Sequence, residues 1–154
     1  LGYSGIRRFS SICLLPAGII AASQEGSPMA ENRVRKKLSE GKPAVGLTLR
    51  IAPSIEMAAV ARQAGFDWLF LDMEHGVMSL EACAQISAAA LDAGIAPIAR
   101  VPNGQYSIAT RALDNGALGI VMPHVDTADE AAEVVEAAEA VENATPDASA
   151  PAES

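Results

Sequence analysis

Short apolar segments alternate with helix-forming segments along most of this chain, and this alternation constrains the fold more than any other feature. Four apolar segments have the length and composition of buried strands, at residues 44–49, 68–72, 96–100 and 119–122. Each is followed by a segment with helical patterning, and three of the predicted helices stop at a glycine, Gly65, Gly94 or Gly116. Strands joined to helices by short loops predict a parallel sheet with right-handed crossovers. We therefore predict an α/β fold of four βα units.

Composition divides the chain into three regions. Residues 30–141 carry the alternating pattern and are predicted to form the folded domain. Residues 1–29 do not match it: two arginines precede an apolar stretch, which fits translated sequence upstream of a start at Met29, a targeting peptide, or additional folded structure. Residues 142–154 are rich in Ala, Pro, Ser, Asp and Glu, so we predict a disordered acidic tail.

Charge and cysteine usage exclude several classes of protein. The net charge of −8 argues against a nucleic-acid or anionic-membrane partner, although residues 126–154 alone hold nine acids and no Lys or Arg. The longest apolar run, residues 12–22, is too short to span a membrane. Cys13 and Cys83 lie far apart, which excludes a disulfide scaffold and a zinc finger. We expect a cytoplasmic protein, or an exported or organelle-targeted one if the N-terminal region is a leader.

Charged side chains follow the predicted strands where a parallel sheet places its sites. Asp72, Glu74 and His75 come at the end of the second strand, and Arg100 ends the third. A histidine beside carboxylates is a candidate general base, and an arginine can bind a carboxylate through two hydrogen bonds. This combination predicts a site for a small keto or hydroxy acid, with a solvated loop and a structural salt bridge as the alternative.

Other motifs contribute less. His124 follows the fourth strand and is expected to have a structural or supporting role. Cys83 is expected to be a small buried hydrophobic residue. The sequence contains no phosphate loop and no G-x-G-x-x-G, H-E-x-x-H or G-x-S-x-G motif, so kinase, Rossmann and serine-hydrolase functions have no support.

Three segments resemble one known family in the same order. Residues 64–76 (AGFDWLFLDMEHG), 97–102 (PIARVP) and 112–126 (ALDNGALGIVMPHVD) are similar to the HpcH/HpaI aldolases, the class II, metal-dependent pyruvate aldolases that include 4-hydroxy-2-oxoheptanedioate aldolase. The resemblance runs from about residue 32 to residue 141. It implies a TIM (β/α)₈ barrel, a homo-oligomer, and reversible cleavage of a 4-hydroxy-2-oxo acid into pyruvate and an aldehyde.

The resemblance also implies roles for individual residues. His75 matches the catalytic base, Asp114 the acid that raises the basicity of that base, and Arg100 the residue that binds the pyruvate carboxylate or enolate. Asp72 and Glu74 match acids around the base and the metal-bound waters. A divalent ion (Mg²⁺, Mn²⁺ or Co²⁺) is the implied cofactor, and it would polarise the keto oxygen of the substrate.

This chain departs from the family pattern in its second half. The Glu and Asp that hold the metal in the family lie on later strands, and no residue here matches them. We therefore expect the first half of a barrel with impaired activity and two open sheet edges, marginally stable alone or paired with another half-barrel. One alternative is a non-catalytic fragment that oligomerises or comes from a truncated reading frame. Another is a citrate-lyase-β-like lyase acting on a CoA ester.

Overall fold

The fold is a single mixed sheet with four of the five described helices packed on one side. A computed structural model describes residues 12–15, 18–21 and 33–144, with side chains for 33–139. The strands are β1 (Ile12–Leu15), β2 (Gly18–Ala21), β3 (Gly46–Leu49), β4 (Trp68–Asp72), β5 (Ala96–Arg100) and β6 (Gly119–Met122). The helices are α1 (Arg33–Ser39), α2 (Glu56–Gln63), α3 (Leu80–Asp92), α4 (Tyr106–Asp114) and α5 (Ala128–Ala144).

The strand order is β1-β2-β6-β5-β4-β3, with β3 to β6 parallel and consecutive. Each crossover moves one strand in the same direction, and helices α2 to α5 contact one another in turn, so they lie on one face of the sheet. A doubly wound sheet would instead reverse direction and cover both faces. The four parallel strands therefore form half of an α/β barrel, and the predicted α/β class of four βα units is confirmed.

The core lies between the parallel strands and their helices. Leu69 and Leu71 of β4 are fully buried, whereas Trp68 and Phe70 on the opposite face are half-buried. This alternation follows from the two-residue period of a strand. Alanines on α2, α3 and α4 bring the helices close to the sheet; Cys83 is buried among them, as expected.

One predicted edge of the sheet is not open. β2 pairs antiparallel with β6, with Ile20 opposite Val121, so the β1–β2 hairpin covers the edge that was expected to be free. β3 has a neighbour on its β4 side only, within the described residues.

The ends of the chain leave part of the predicted division untested. Helix α5 continues to Ala144, three residues beyond the predicted end of the domain at residue 141. The proposed disorder of the rest of the tail lies outside the described residues, as does most of the predicted leader. Among the helices that the structure describes, none is long and apolar enough to cross a membrane.

Candidate active site

A fully buried carboxylate, Asp72, organises the carboxyl end of the sheet. The parallel register places Asp72 of β4 beside Arg100 of β5. Arg100 donates from Nε to Asp72 Oδ1 at 3.0 Å and from Nη2 to Oδ2 at 2.6 Å. The pairing is therefore bidentate, the geometry in which a guanidinium holds a carboxylate most firmly.

The loop after β4 folds back onto the same carboxylate. The backbone N–H groups of Glu74 and His75 each donate to Asp72 Oδ1 at 3.0 Å. Burial raises the pKa of Asp72, but hydrogen bonds from Arg100 and these two amides outweigh it, so the pKa lies below its ordinary value. The same pair raises the pKa of Arg100. At neutral pH Asp72 is thus an anion that fixes both Arg100 and the loop.

Arg50 and Gly76 complete this loop. Arg50 lies just beyond β3; its Nε is 3.4 Å from Asp72 Oδ2, and its Nη2 donates to the backbone oxygen of His75 at 3.1 Å. A Cβ on Gly76 would lie 2.5 Å from the backbone oxygen of Asp72 and 2.7 Å from that of Arg50. The loop passes too close to two backbone oxygens for any other residue to fit at this position.

Glu74 lies among three nitrogen-bearing side chains. Its carboxylate is largely buried, with Oε2 3.4 Å from Arg100 Nε and 3.5 Å from His75 Nε2, and with Oε1 3.6 Å from His124 Nε2. These separations are too long for hydrogen bonds, and Oε2 is buried without a hydrogen-bond donor among the described residues. The arrangement gives Glu74 favourable charge interactions but leaves one oxygen able to accept a further bond.

Both histidines are accessible from solvent. The side chains of His75 and His124 are 54% and 65% exposed, so either can meet a molecule entering at this end of the sheet. His124 has φ of +53°, a left-handed conformation that is uncommon outside glycine although histidine adopts it more often than most residues.

The structure brings together four of the five residues predicted from the sequence. Asp72, Glu74, His75 and Arg100 meet at the carboxyl ends of β4 and β5. Asp114 is not among them: it ends α4, which returns the chain to the amino end of β6, and its side chain is exposed. The predicted interaction of Asp114 with His75 is therefore not formed within this chain.

Two residues of the site do not belong to the set predicted from the sequence. Arg50 and His124 each follow a strand, which was the signal available for both. The sequence does not show how close the ends of β3, β4 and β6 lie to one another, because this depends on the register in which the strands pair. No group of three or more His, Cys, Asp or Glu side chains positioned to hold a metal ion occurs among the described residues.

Comparisons with known proteins agree with this fold. A family model described as HpcH/HpaI aldolase/citrate lyase matches residues 52–150, which is more than half of the chain. The chain belongs to the HpcH/HpaI aldolase/citrate lyase family.

Similar proteins of known activity are longer than this chain. It is 37% identical over 107 residues to a 4-hydroxy-4-methyl-2-oxoglutarate aldolase of Hapsidospora irregularis, covering 69% of this chain and 40% of that protein. It is 37% identical over 110 residues to a hydroxypyruvate/pyruvate aldolase of Agrobacterium fabrum, covering 71% and 41%. The chain thus spans about two fifths of the length of these relatives.

A solved structure shows the same likeness. The crystal structure of an HpcH/HpaI aldolase from Desulfitobacterium hafniense superimposes with a TM-score of 0.64 at 30% identity, covering 68% of this chain and 40% of that one.

Proposed function

We propose that this chain carries the base and the carboxylate-binding arginine of a pyruvate aldolase, a carbon–carbon lyase that cleaves a 4-hydroxy-2-oxo acid into pyruvate and an aldehyde. The observation that carries the proposal is the buried Asp72–Arg100 pair, which holds an arginine and a histidine-bearing loop at one end of the sheet. The names of several similar proteins, which are aldolases of keto acids, support the same class of reaction.

Arg100 is positioned to bind the keto acid. A guanidinium has five N–H donors; the bonds to Asp72 use one on Nε and one on Nη2, which leaves the edge formed by Nη1 and Nη2 for a second carboxylate or an enolate oxygen. The side chain is 20% exposed, so its charge is only partly screened by water. A fixed positive charge at this point would stabilise the enolate more than the neutral ketone.

His75 would move the proton. In the cleavage direction its imidazole accepts the proton of the 4-hydroxyl group of the substrate. The C3–C4 bond then breaks, the electron pair of that bond passes to the pyruvate enolate, and the aldehyde leaves. Protonation of the enolate carbon then gives pyruvate. The Glu74 carboxylate, 3.5 Å from His75 Nε2, stabilises the imidazolium that forms.

Several expectations drawn from the sequence remain proposals. The role of Asp114 requires a contact with His75 that this chain alone does not make. The divalent ion does not fit the described residues, because both oxygens of Asp72 are occupied by hydrogen bonds and Glu74 faces an arginine and two imidazoles. No step above passes through the ion. A homo-oligomer and a cytoplasmic location are likewise proposed.

Deuterium exchange into the methyl group of pyruvate tests the proposal without a choice of aldehyde. Proton NMR would follow the exchange with and without Mn²⁺ or Mg²⁺ for the wild-type chain and for His75→Ala. We expect exchange by the wild-type chain that the substitution abolishes. A folded wild-type chain that gives no exchange under any of these conditions would contradict the proposal and favour the non-catalytic alternative. Cleavage of a CoA ester instead would favour a citrate-lyase-like activity.

A further inference from the structure

His124 is the one side chain of the site to which no role has yet been assigned. It lies beyond β6, and its Nε2 is 3.6 Å from Glu74 Oε1. On the other oxygen of the same carboxylate, His75 Nε2 lies at 3.5 Å from Oε2. Two imidazoles from different parts of the sheet therefore share one largely buried carboxylate.

The backbone of His124 is held in an unfavourable conformation at this place. Its φ of +53° lies in the left-handed region, where a residue with a Cβ is less stable than in the ordinary regions. Such a residue persists only where its surroundings fix it, and such positions cluster at functional sites. Here the conformation coincides with the approach of the imidazole to Glu74.

We propose that His124 is a positioning residue that sets the proton affinity of His75 through the shared carboxylate of Glu74. A protonated His124 offsets part of the negative charge of Glu74, which makes protonation of His75 less favourable. When His124 is neutral, the full negative charge of Glu74 favours protonation of His75. The role given to His75 rests on the proposed function, but the coupling between the two imidazoles does not.

The other charged groups around Glu74 cannot replace His124 in this role. Arg100 of β5 lies 3.4 Å from Glu74 Oε2, but it stays charged and is bound to Asp72. Arg50 beyond β3 contacts Asp72 and the backbone of His75. Beyond β6, the carboxylate of Glu130 accepts from the backbone of Asp126 and Thr127. Among these neighbours of Glu74, His124 is thus the one that carries an imidazole, a group that can be neutral or charged.

Imidazole proton NMR tests the coupling directly, because the chain contains only two histidines. The substitution His124→Asn removes the titrating group while keeping a residue type that tolerates a left-handed backbone. We expect the midpoint of the His75 titration to rise by about half a pH unit in this variant. An unchanged midpoint would overturn the proposal.

Two further variants show whether His124 acts on His75 through the carboxylate of Glu74 or directly. Glu74→Gln should lower the midpoint of the His75 titration, and in that background His124→Asn should have less than half of its original effect. A full effect without the carboxylate would show that His124 does not act through Glu74. If His124→Asn does not fold, as judged by circular dichroism, His124→Gly serves instead, since glycine accepts the same φ.

The exchange reaction distinguishes this proposal from the proposed function. If both hold, the pH profile of pyruvate exchange shifts in His124→Asn by the same amount as the NMR midpoint. If wild-type exchange is absent while the midpoints shift as stated, the proposed function fails and the coupling stands. If exchange occurs with the same profile in both chains while the midpoints shift, the role of His75 as the base fails and the coupling stands.

Discussion

At the scale of single residues, Asp72 has the largest expected effect on stability. Replacing it by Asn leaves the Arg100 guanidinium without its charged partner and turns one of the two accepting oxygens into an NH2 group, which cannot accept a hydrogen bond. Breaking a buried ion pair from one side costs about 3–5 kcal/mol. We expect a loss of that size in the free energy of unfolding, measured by urea denaturation. Asp92→Asn, on an exposed aspartate at the end of α3, is the matched control; an equal loss in both would contradict this account.

The second prediction concerns Gly76 and depends only on the room available for a side chain at this position. A methyl group there would meet two backbone oxygens that cannot turn away, so Gly76→Ala must move the loop that carries His75. Overpacking of this kind costs about 1–3 kcal/mol, and we expect the upper end in thermal or urea unfolding. Gly104→Ala is the control, because Gly104 has φ of +68° but nothing within 4 Å of an added Cβ. A smaller loss for Gly76 than for Gly104 would show that the loop is less constrained than described.

At the scale of elements, β4 has a buried carboxylate at each end. Asp67, just before the strand, lies 2.6 Å from Lys37 Nζ and accepts from the backbone N–H of Val45. Burial raises the pKa of Asp67, but its bonds to Lys37 and Val45 outweigh this, so the pKa falls below its ordinary value, as it does for Asp72.

A lowered pKa in the folded state predicts how stability depends on pH. Both carboxylates stabilise the fold fully above the ordinary aspartate value of 3.8, and the contribution is lost as pH falls through their lower folded values. We expect the free energy of unfolding to fall steeply below about pH 4. Asp67→Asn should make this slope smaller, measured by urea unfolding between neutral and acidic pH. A slope unchanged by the substitution would mean that Asp67 does not contribute.

The elements were predictable from the sequence because their signals are local. The strand Trp68–Asp72 and the strand Ala96–Arg100 were predicted with the bounds that the structure gives, since short apolar runs followed by glycine-terminated helices leave few alternatives. Asp72 lies close to Arg100 because β4 and β5 are parallel neighbours in which these two residues are paired. The pairing of β2 with β6 has no local signal, because about 100 residues separate Ile20 from Val121. The contact of His124 with Glu74 similarly depends on where β6 ends relative to β4.

At the scale of the whole molecule, β3 leaves one side of the sheet unpaired within the described residues. Unpaired backbone groups on an edge strand favour pairing with a second copy, and a lysine on the edge opposes it. We expect the sedimentation coefficient of the wild-type chain to rise with concentration, and that of Thr48→Lys, a substitution of an exposed edge residue, to rise less. Identical behaviour of the two chains would show that association, if present, uses another surface.

The central claim is that Arg100, held by Asp72, binds a keto acid and stabilises its enolate. It is tested most directly by the rate of pyruvate methyl exchange in Arg100→Lys and in Arg111→Lys, an equivalent substitution on the exposed surface of α4. A lysine cannot form the two-bond pair with Asp72 while presenting a second edge to the substrate. We predict that Arg100→Lys slows the exchange by about 100-fold and that Arg111→Lys leaves it unchanged. Exchange at the wild-type rate in Arg100→Lys would contradict the account.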